Sequence, residues 1–507
     1  MWFFRKKSPR RSKVRKTITS EKFAQISRFA TAEVMSSVLL GLVFIAACVF
    51  IFSFEIVPQD YERRVLPITG MVALITLAAG VYIGHYQNRI IKNLTRAAAL
   101  LGLFILLLAM TKLGVLLTGH TLWATGGAVT VATILTIAYD QRFAIGMSVF
   151  YCMLACFSAT PLTDVNLFLT MLAGAFTCCF SLKEIRTRNK LFEVGAVAAA
   201  VVLITSVVLD FLVPRYEFRL ILLRAGLHAI ITLGVGFVIQ GLLPVIEKIF
   251  RIATSMTLLD YSDANQPLLK RIAMEAPGTY SHSILIGSIA EAAAEAIGCN
   301  GLLCRVGAYY HDIGKINKPT YFVENEMGSI SRHKELSPAM SQLTIVGHVK
   351  DGIEMAKEFK LPSVLRQFIE THHGTTLVEY FYNEAVKKAD EKQSPPSESE
   401  FRYAGPKPRT KEAAIVMLAD TVESAARSLP EVTPTKVEAV VHNMAMKRLQ
   451  DGQFDECDMS LRELSQIETS MSKTLAAHYH GRVAYPKPPD MPDEKSSQNE
   501  QTEQKID

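Results

Sequence analysis

Five histidines and two aspartates from five separate segments form the most chemically suggestive set in the chain: His282, the pair His311-Asp312, His348, the pair His372-His373, and Asp420. On the helix expected from about Ser281, His282 shares a stripe with Leu285, Ile286, Ile289, Ala293 and Ala296, at spacings of three and four. His311 follows Cys304, Gly307 and Ala308, a small-residue face that lets helices approach closely. Asp420 shares a stripe with Ala413, Val416 and Met417 on the apolar side of an amphipathic helix. An ionised carboxylate on such a face costs several kcal/mol unless it is paired or bound to metal. Taken singly, each group has an ordinary reading: a buried Asp pairs with Arg or His, and a lone histidine on an apolar stripe is more often a satisfied core residue. Together they are different. Imidazole and carboxylate ligands suit Fe, Mn or Zn. Seven exceed what one ion takes, so two ions bridged by a carboxylate is the economical arrangement, with Asp312 as the natural bridge.

The elements that carry these groups are expected to be helices. From about residue 250 to 485 apolar residues recur at three and four, and no clear run alternates with period two. Pro277-Gly278 and Leu361-Pro362 mark helix boundaries. Lys387–Arg409, rich in charge, Ser and Pro, reads as an exposed loop. The tail, 486–507, lacks apolar periodicity and reads as disordered.

The preceding half is of another kind. A bilayer core of about 30 Å needs roughly 20 apolar residues in a helix. Eight candidate spans lie near 34–54, 68–85, 97–118, 122–139, 143–160, 165–182, 192–213 and 225–247, within a membrane domain of 34–247. The fifth is short and carries the weakest signal. Val34–Phe54 is too long for the apolar part of a signal peptide, and more spans follow it. The arm 1–33 carries Arg5, Lys6, Lys7, Arg10, Arg11, Lys13, Arg15, Lys16 and Lys22 against one acid, Glu21. Such an arm binds nucleic acid, attracts anionic lipid or holds the N-terminus in the cytoplasm; the last needs least.

Alternate loops agree with that reading. One side carries the arm, then Arg89, Lys92 and Arg96, then Arg142, then Lys183, Arg186, Arg188 and Lys190. The other has Arg63, Arg64, Arg215, Arg219 and Arg224, and two loops without any. The first side is expected to be cytoplasmic, and an even span count puts the C-terminal domain there too. No Asp or Glu falls mid-span, and only Lys112 interrupts one deeply, which argues against ion-coupled transport; Lys112 reads as snorkelling to the interface. The net charge of +6 is modest, and the eight cysteines form no CxxC pair, as suits a reducing compartment for the soluble part.

His282, His311-Asp312 and Asp420 match the H…HD…D pattern of the HD phosphohydrolase superfamily, and His348 with His372-His373 resembles its binuclear members. The likeness extends through Ala276-Pro-Gly-Thr-Tyr-Ser-His-Ser283, Val306-Gly-Ala-Tyr-Tyr-His-Asp-Ile-Gly-Lys315, His372-His-Gly-Thr375 and Phe401-Arg-Tyr-Ala-Gly-Pro-Lys-Pro408. Together these look like the seven-transmembrane-receptor HD proteins, the PgpH-type cyclic-di-AMP phosphodiesterases, over roughly residues 68 to 485.

The resemblance implies an all-α architecture, a polytopic transmembrane bundle followed by a helical HD domain, in a multi-pass protein of the bacterial inner membrane. It implies two divalent ions, manganese or iron, held by His282, His311, Asp312, His348, His372, His373 and Asp420, and cleavage of cyclic di-AMP to linear pApA. Two departures stand out. Only about a dozen residues, Ile56–Pro67, join the first two spans where relatives carry a large extracytoplasmic domain. Ser281-His282 stands where many have two histidines.

In such a site a hydroxide held by two ions attacks phosphorus in line with the departing oxygen. Asp312 and Lys315 are the candidate catalytic residues; Lys315, three residues on, is placed to meet the phosphate as a point charge. No separate general acid is evident, which leaves a metal-bound water or Lys315 to protonate the leaving oxygen. Tyr321, Asn325, Tyr380 and Tyr382 follow ligand segments and are candidates, with Lys315, for substrate contact. Lys407 and Arg409 are weaker phosphate candidates, and His333, His442, His478 and His480 read as structural.

The expected partners are a cyclic dinucleotide and the lipid bilayer, with no nucleic-acid polymer; a homodimer stays open. Three rivals remain: a cyclic di-GMP phosphodiesterase, a nucleotide-binding membrane receptor with an inactive HD domain, and a transporter with a regulatory HD domain. Against the first, His372-His373-Gly374-Thr375 does not continue into a Gly-Tyr-Pro stretch. Against the second, the ligand set is complete. Against the third stand the sparse membrane charges.

Overall fold

The computed structural model describes residues 35–54, 61–91, 93–159, 164–182, 187, 189–212, 217–326, 332–389, 396–429 and 432–480. The basic arm, most of the short connection after the first span, and the tail lie outside them. The chain divides into two compact units, Met1–Leu259 and Asp260–Asp507.

The first unit is a bundle of apolar helices: α1 (Met35–Ser53), then α2 (Tyr61–Tyr86), the single turn α3 (Asn88–Ile91), α4 (Leu94–Thr118), α5 (Leu122–Ala138), α6 (Gln141–Ala159), α7 (Val165–Ser181), α8 (Asn189–Phe211) and α9 (Phe218–Phe250). Six of these, α1, α2, α4, α6, α8 and α9, are long and apolar enough to cross a membrane; α5 and α7 are apolar but have 17 residues each. The weak fifth run is thus a 19-residue helix, and the short members are the fourth and sixth. Helix α5 (LWATGGAVTVATILTIA) is buried from Ala124 to Val129 and again from Val131 to Leu135, packed against α4, α6, α7 and α9. Its small residues suit close packing with other helices rather than contact with lipid. Helix α2 already begins at Tyr61, so part of the expected connection is helical, with Pro67 inside it.

The second unit is also helical: α10 (Ser255–Ser262) crosses the division, followed by α11 (Pro267–Glu275), α12 (Pro277–Ala296), α13 (Gly301–Tyr310), α14 (Pro338–Glu358), α15 (Ser363–Thr371), α16 (Glu379–Lys388), α17 (Lys411–Arg427), α18 (Pro434–Gln450) and α19 (Leu461–His480). Among the described residues there is no strand, only an isolated bridge between Leu377 and Arg402. Caps set several boundaries: the side chains of Asn300, Ser337, Thr410 and Thr433 accept from first-turn amides of α13, α14, α17 and α18. Helix α12 starts at Pro277, four residues before the expected Ser281, because proline suits the first helical turn and Asn325 Oδ1 accepts from the amides of Gly278 and Thr279 at 2.9 and 3.2 Å. The core gathers Ile286, Ile289 and Ala293 of α12, Cys304 and Ala308 of α13, Phe368 of α15, and α17 almost entire.

The stretch expected as an exposed loop is not free. Lys387 and Lys388 end α16, and residues 396–409 fold back, with Phe401 buried. Arg402 fastens them, donating to Thr375 O at 2.9 Å and pairing with Asp451 at 3.0 Å.

Candidate metal centre

The centre is assembled from five elements of the second unit. His282 sits six positions into α12, His311 caps α13, and Asp312 opens a 3-10 turn, Ile313–Asn317. His348 lies in α14, the His372-His373 pair follows α15, and Asp420 lies in α17. Gly314 allows one of these approaches: a Cβ there would stand 1.8 Å from the carbonyl oxygen of His348. Gly374, with φ +50°, turns the chain immediately after the histidine pair.

Asp312 is the shared member. Its Oδ1 lies 3.3 Å from Nε2 of His348 and 3.5 Å from Nε2 of His372. Its Oδ2 lies 3.2 Å from Nε2 of His311 and 3.7 Å from Nε2 of His282. Two groups able to hold a metal ion follow: Asp312 with His348, His372 and His373, and Asp312 with His282 and His311. Asp420 Oδ1 is 3.2 Å from His282 Nε2, and its Oδ2 is 3.9 Å from His373 Nδ1. All are buried except His373, whose side chain is 23% exposed and marks the open side.

The hydrogen bonds behind the rings decide what faces inward. Nδ1 of His311 is 2.6 Å from Ala308 O, Nδ1 of His348 lies against Ile345 O, and Nδ1 of His372 is 3.0 Å from Ile369 O. A carbonyl only accepts, so each Nδ1 carries the proton and each Nε2 presents a bare lone pair. Nδ1 of His282 likewise meets Glu423 Oε2 at 2.7 Å, and Glu423 in turn pairs with Arg427. The Nε2 atoms of His348 and His372 then face each other at 3.1 Å, lone pair to lone pair. Asp312 Oδ1 and His311 Nε2 are buried with no hydrogen-bond partner. A hollow where bare imidazole lone pairs converge on buried carboxylates is costly unless a cation fills it, so the residues present fit divalent metal ions. Ring partners of this kind also hold metal-binding imidazoles in orientation.

Charge supports the same reading. Burial opposes ionisation of Asp312, but His311 and Lys315 beside it hold its carboxyl well below the usual range. Burial likewise opposes ionisation of Asp420, which its hydrogen bond to His282 and the imidazoles around it hold low. Burial pushes His348 down to about 3, and partial burial beside His372 and His348 holds His373 well below its ordinary value, so both rings stay neutral.

Lys315 places Nζ 2.7 Å from both Asp312 Oδ2 and Glu324 Oε1. Burial disfavours its charge, yet these two carboxylates raise its proton affinity. Of the other candidates, Asn325 is committed to the start of α12, its Nδ2 also donating to Thr279 Oγ1 at 2.9 Å. Tyr321 and the exposed Tyr380 line a cavity of about 670 Å³ that also touches Phe322, Glu324, His333 and Ile345. The Tyr382 ring packs on Phe401, 5.8 Å between centroids. Lys407 donates to Gly452 O at 2.7 Å and Arg409 pairs with Glu456 at 3.1 Å, so both are engaged with the segment after α18. His333 and His442 have local partners, Tyr321 O and Glu468. Three residues not singled out from sequence join the site: Glu423, Glu324, and Tyr403, whose ring stacks on His373 at 4.2 Å. Glu423 lies three residues after Asp420, a same-face spacing that points to it.

The fold and centre define a helical protein of two parts: a bundle of helices long and apolar enough to cross a membrane, and a helical unit with an HD-type cluster able to hold metal ions. Two family descriptions match side by side: 7TM receptor with intracellular HD hydrolase over residues 63–254, and HD domain over residues 279–425. The chain belongs to this 7TM receptor–HD family.

Curated relatives are the cyclic-di-AMP phosphodiesterase PgpH of Bacillus subtilis, 42% identical over 59% of this chain and 42% of that protein, and PgpH of Listeria monocytogenes, 44% identical over 48% of this chain and 34% of that protein. The chain therefore spans less than half the length of these relatives. A crystal structure of the L. monocytogenes PgpH HD domain in complex with cyclic di-AMP matches 43% of this chain and all of its own length, with 45% identity and a TM-score of 0.41.

Proposed function

We propose that the chain is a membrane-anchored, metal-dependent phosphodiesterase that hydrolyses cyclic di-AMP to linear pApA. The observation that carries the reading is the division of Asp312 between two imidazole groups, one on each carboxylate oxygen. Support for the substrate comes from the two PgpH relatives, whose names give cyclic di-AMP as what they act on.

In this reading His282, His311, Asp312, His348, His372, His373 and Asp420 hold two divalent ions, manganese or iron. Bound there, the ions supply an activated water at neutral pH and polarise a phosphoryl oxygen. The protein's own groups do the rest. Asp312 fixes the two halves of the centre to one another. Lys315, tied to Asp312 and Glu324, is a fixed positive charge beside the site, and its raised proton affinity favours that role over proton donation. Tyr403, stacked on His373 at the exposed side, is placed to meet an incoming base. Tyr321 and Tyr380 are the remaining base contacts, in the neighbouring cavity. The HD unit and N-terminus are cytoplasmic in this account, supported by the loop charges.

The test uses the full chain in lipid nanodiscs, loaded with Mn²⁺ and supplied separately with cyclic di-AMP and cyclic di-GMP. The reading expects pApA as the product and faster turnover of cyclic di-AMP. Faster cleavage of cyclic di-GMP moves the substrate, and no turnover of either with the metal bound removes the catalytic claim.

A further inference from the structure

A second polar hollow lies wholly inside the first unit. Where α4 ends and α5 and α9 begin, a cavity of about 170 Å³ is lined by His120, Thr121, Arg224 and His228, with small and apolar neighbours. Its polar wall thus carries two imidazoles, a guanidinium and a hydroxyl, and no carboxylate. His228 is only 7% exposed. Its Nδ1 lies 2.7 Å from the hydroxyl of the fully buried Thr125, and its Nε2 has no hydrogen-bond partner among the described residues. The start of α5, which Thr121 does not cap with its side chain, borders the same hollow. Asp210 acts electrostatically on Arg224 and Asp164 on His228, but neither lines the hollow. Asp164 is in addition committed to the amides of Asn166 and Leu167, at 3.0 and 3.2 Å.

We infer that this hollow is a binding site for a small oxyanion of the phosphate class. The first turns of α9 border it through Leu220, Arg224 and His228. In this site Thr125 is assigned as donor to Nδ1 of His228, the tautomer in which Nε2–H donates into the hollow. Arg224 adds a planar fork matched to a phosphoryl group, and the start of α5 adds amides. The phosphoryl group comes either from free phosphate or from a lipid headgroup.

Trp123 is a built-in reporter: it stands beside the lining residues, donates to Thr118 Oγ1 at 3.1 Å, and shares the chain with one other tryptophan, Trp2. The experiment takes the full chain with Trp2→Phe in phosphatidylcholine nanodiscs and titrates inorganic phosphate while recording Trp123 emission. A saturable change is expected, with apparent affinity weakened about tenfold or more by Arg224→Gln. His120→Ala, at an exposed loop position, gives the same weakening and stands in if Arg224→Gln does not fold, as judged by thermal melting. Replacing part of the lipid with phosphatidylglycerol suppresses the phosphate response if a headgroup is the natural occupant and leaves it unchanged if the free anion is; both support the site. An absent or non-saturating response, or one that folded Arg224→Gln and His120→Ala chains reproduce unchanged, overturns it.

Discussion

Glu423 accepts a hydrogen bond from Nδ1 of His282 at 2.7 Å, while the opposite ring nitrogen of His282 turns toward Asp312 and Asp420. A buried carboxylate thereby fixes the ring's orientation and makes Nε2 a better donor to a cation. Glu423→Gln keeps the shape but weakens the charge behind the ring. Metal affinity at the group containing His282 is expected to fall about 10- to 100-fold, with the fold retained, as read by metal titration alongside circular dichroism. Unchanged affinity would remove Glu423 from the centre.

The two metal groups should differ in their response to pH. Burial works to lower the pKa of His282, but hydrogen bonds to Asp420 and Glu423 raise it to about 9. In the metal-free protein His282 keeps its proton through neutrality. The stability this contributes is full below the unfolded value of about 6.5 and lost as pH rises through about 9. A metal ion at Nε2 must expel that proton, so affinity there rises with pH over this window. His348, held down to about 3 by burial, has no proton to lose. Calorimetry in buffers of different ionisation heat, at about pH 7, is expected to show more proton release on filling the group of His282 than on filling the group of His348.

Gly314→Ala tests the approach of the Asp312 turn to α14. The added Cβ would stand 1.8 Å from His348 O and 2.6 Å from the amide of Gly352. The turn must move, at a cost of about 1–3 kcal/mol. A lower melting temperature and weaker metal binding at the His348 group are expected together. Loss of stability alone, with metal binding intact, would mean that the turn relaxes elsewhere.

Much of the centre was legible because its residues lie on faces where a charge or imidazole has no business without a partner. His282 among Ile286 and Ile289, and Asp420 after Val416 and Met417, announce themselves by helical spacing. Apart from Glu423, what sequence missed at the centre sits where no periodicity operates. Glu324 belongs to an isolated 3-10 turn, and Tyr403 arrives from a segment whose Ser- and Pro-rich start masked its return to the core. His228 was passed over because it is one polar residue in a long apolar run, and only the packing of α4, α5 and α9 turns it onto a hollow. The weights among the spans also shifted: α5 and α7 look like crossings by hydropathy, but each is a helix of only 17 residues.

The central claim is that Asp312 joins two metal ions into one centre. The most direct measurement is electron paramagnetic resonance of the full chain loaded with Mn²⁺, in nanodiscs, compared with Asp312→Ala. Two ions sharing a carboxylate are magnetically coupled, so the account predicts a coupled-pair spectrum that Asp312→Ala abolishes, along with turnover. An isolated-ion spectrum from the fully loaded chain, or a coupled spectrum that survives Asp312→Ala, would contradict it.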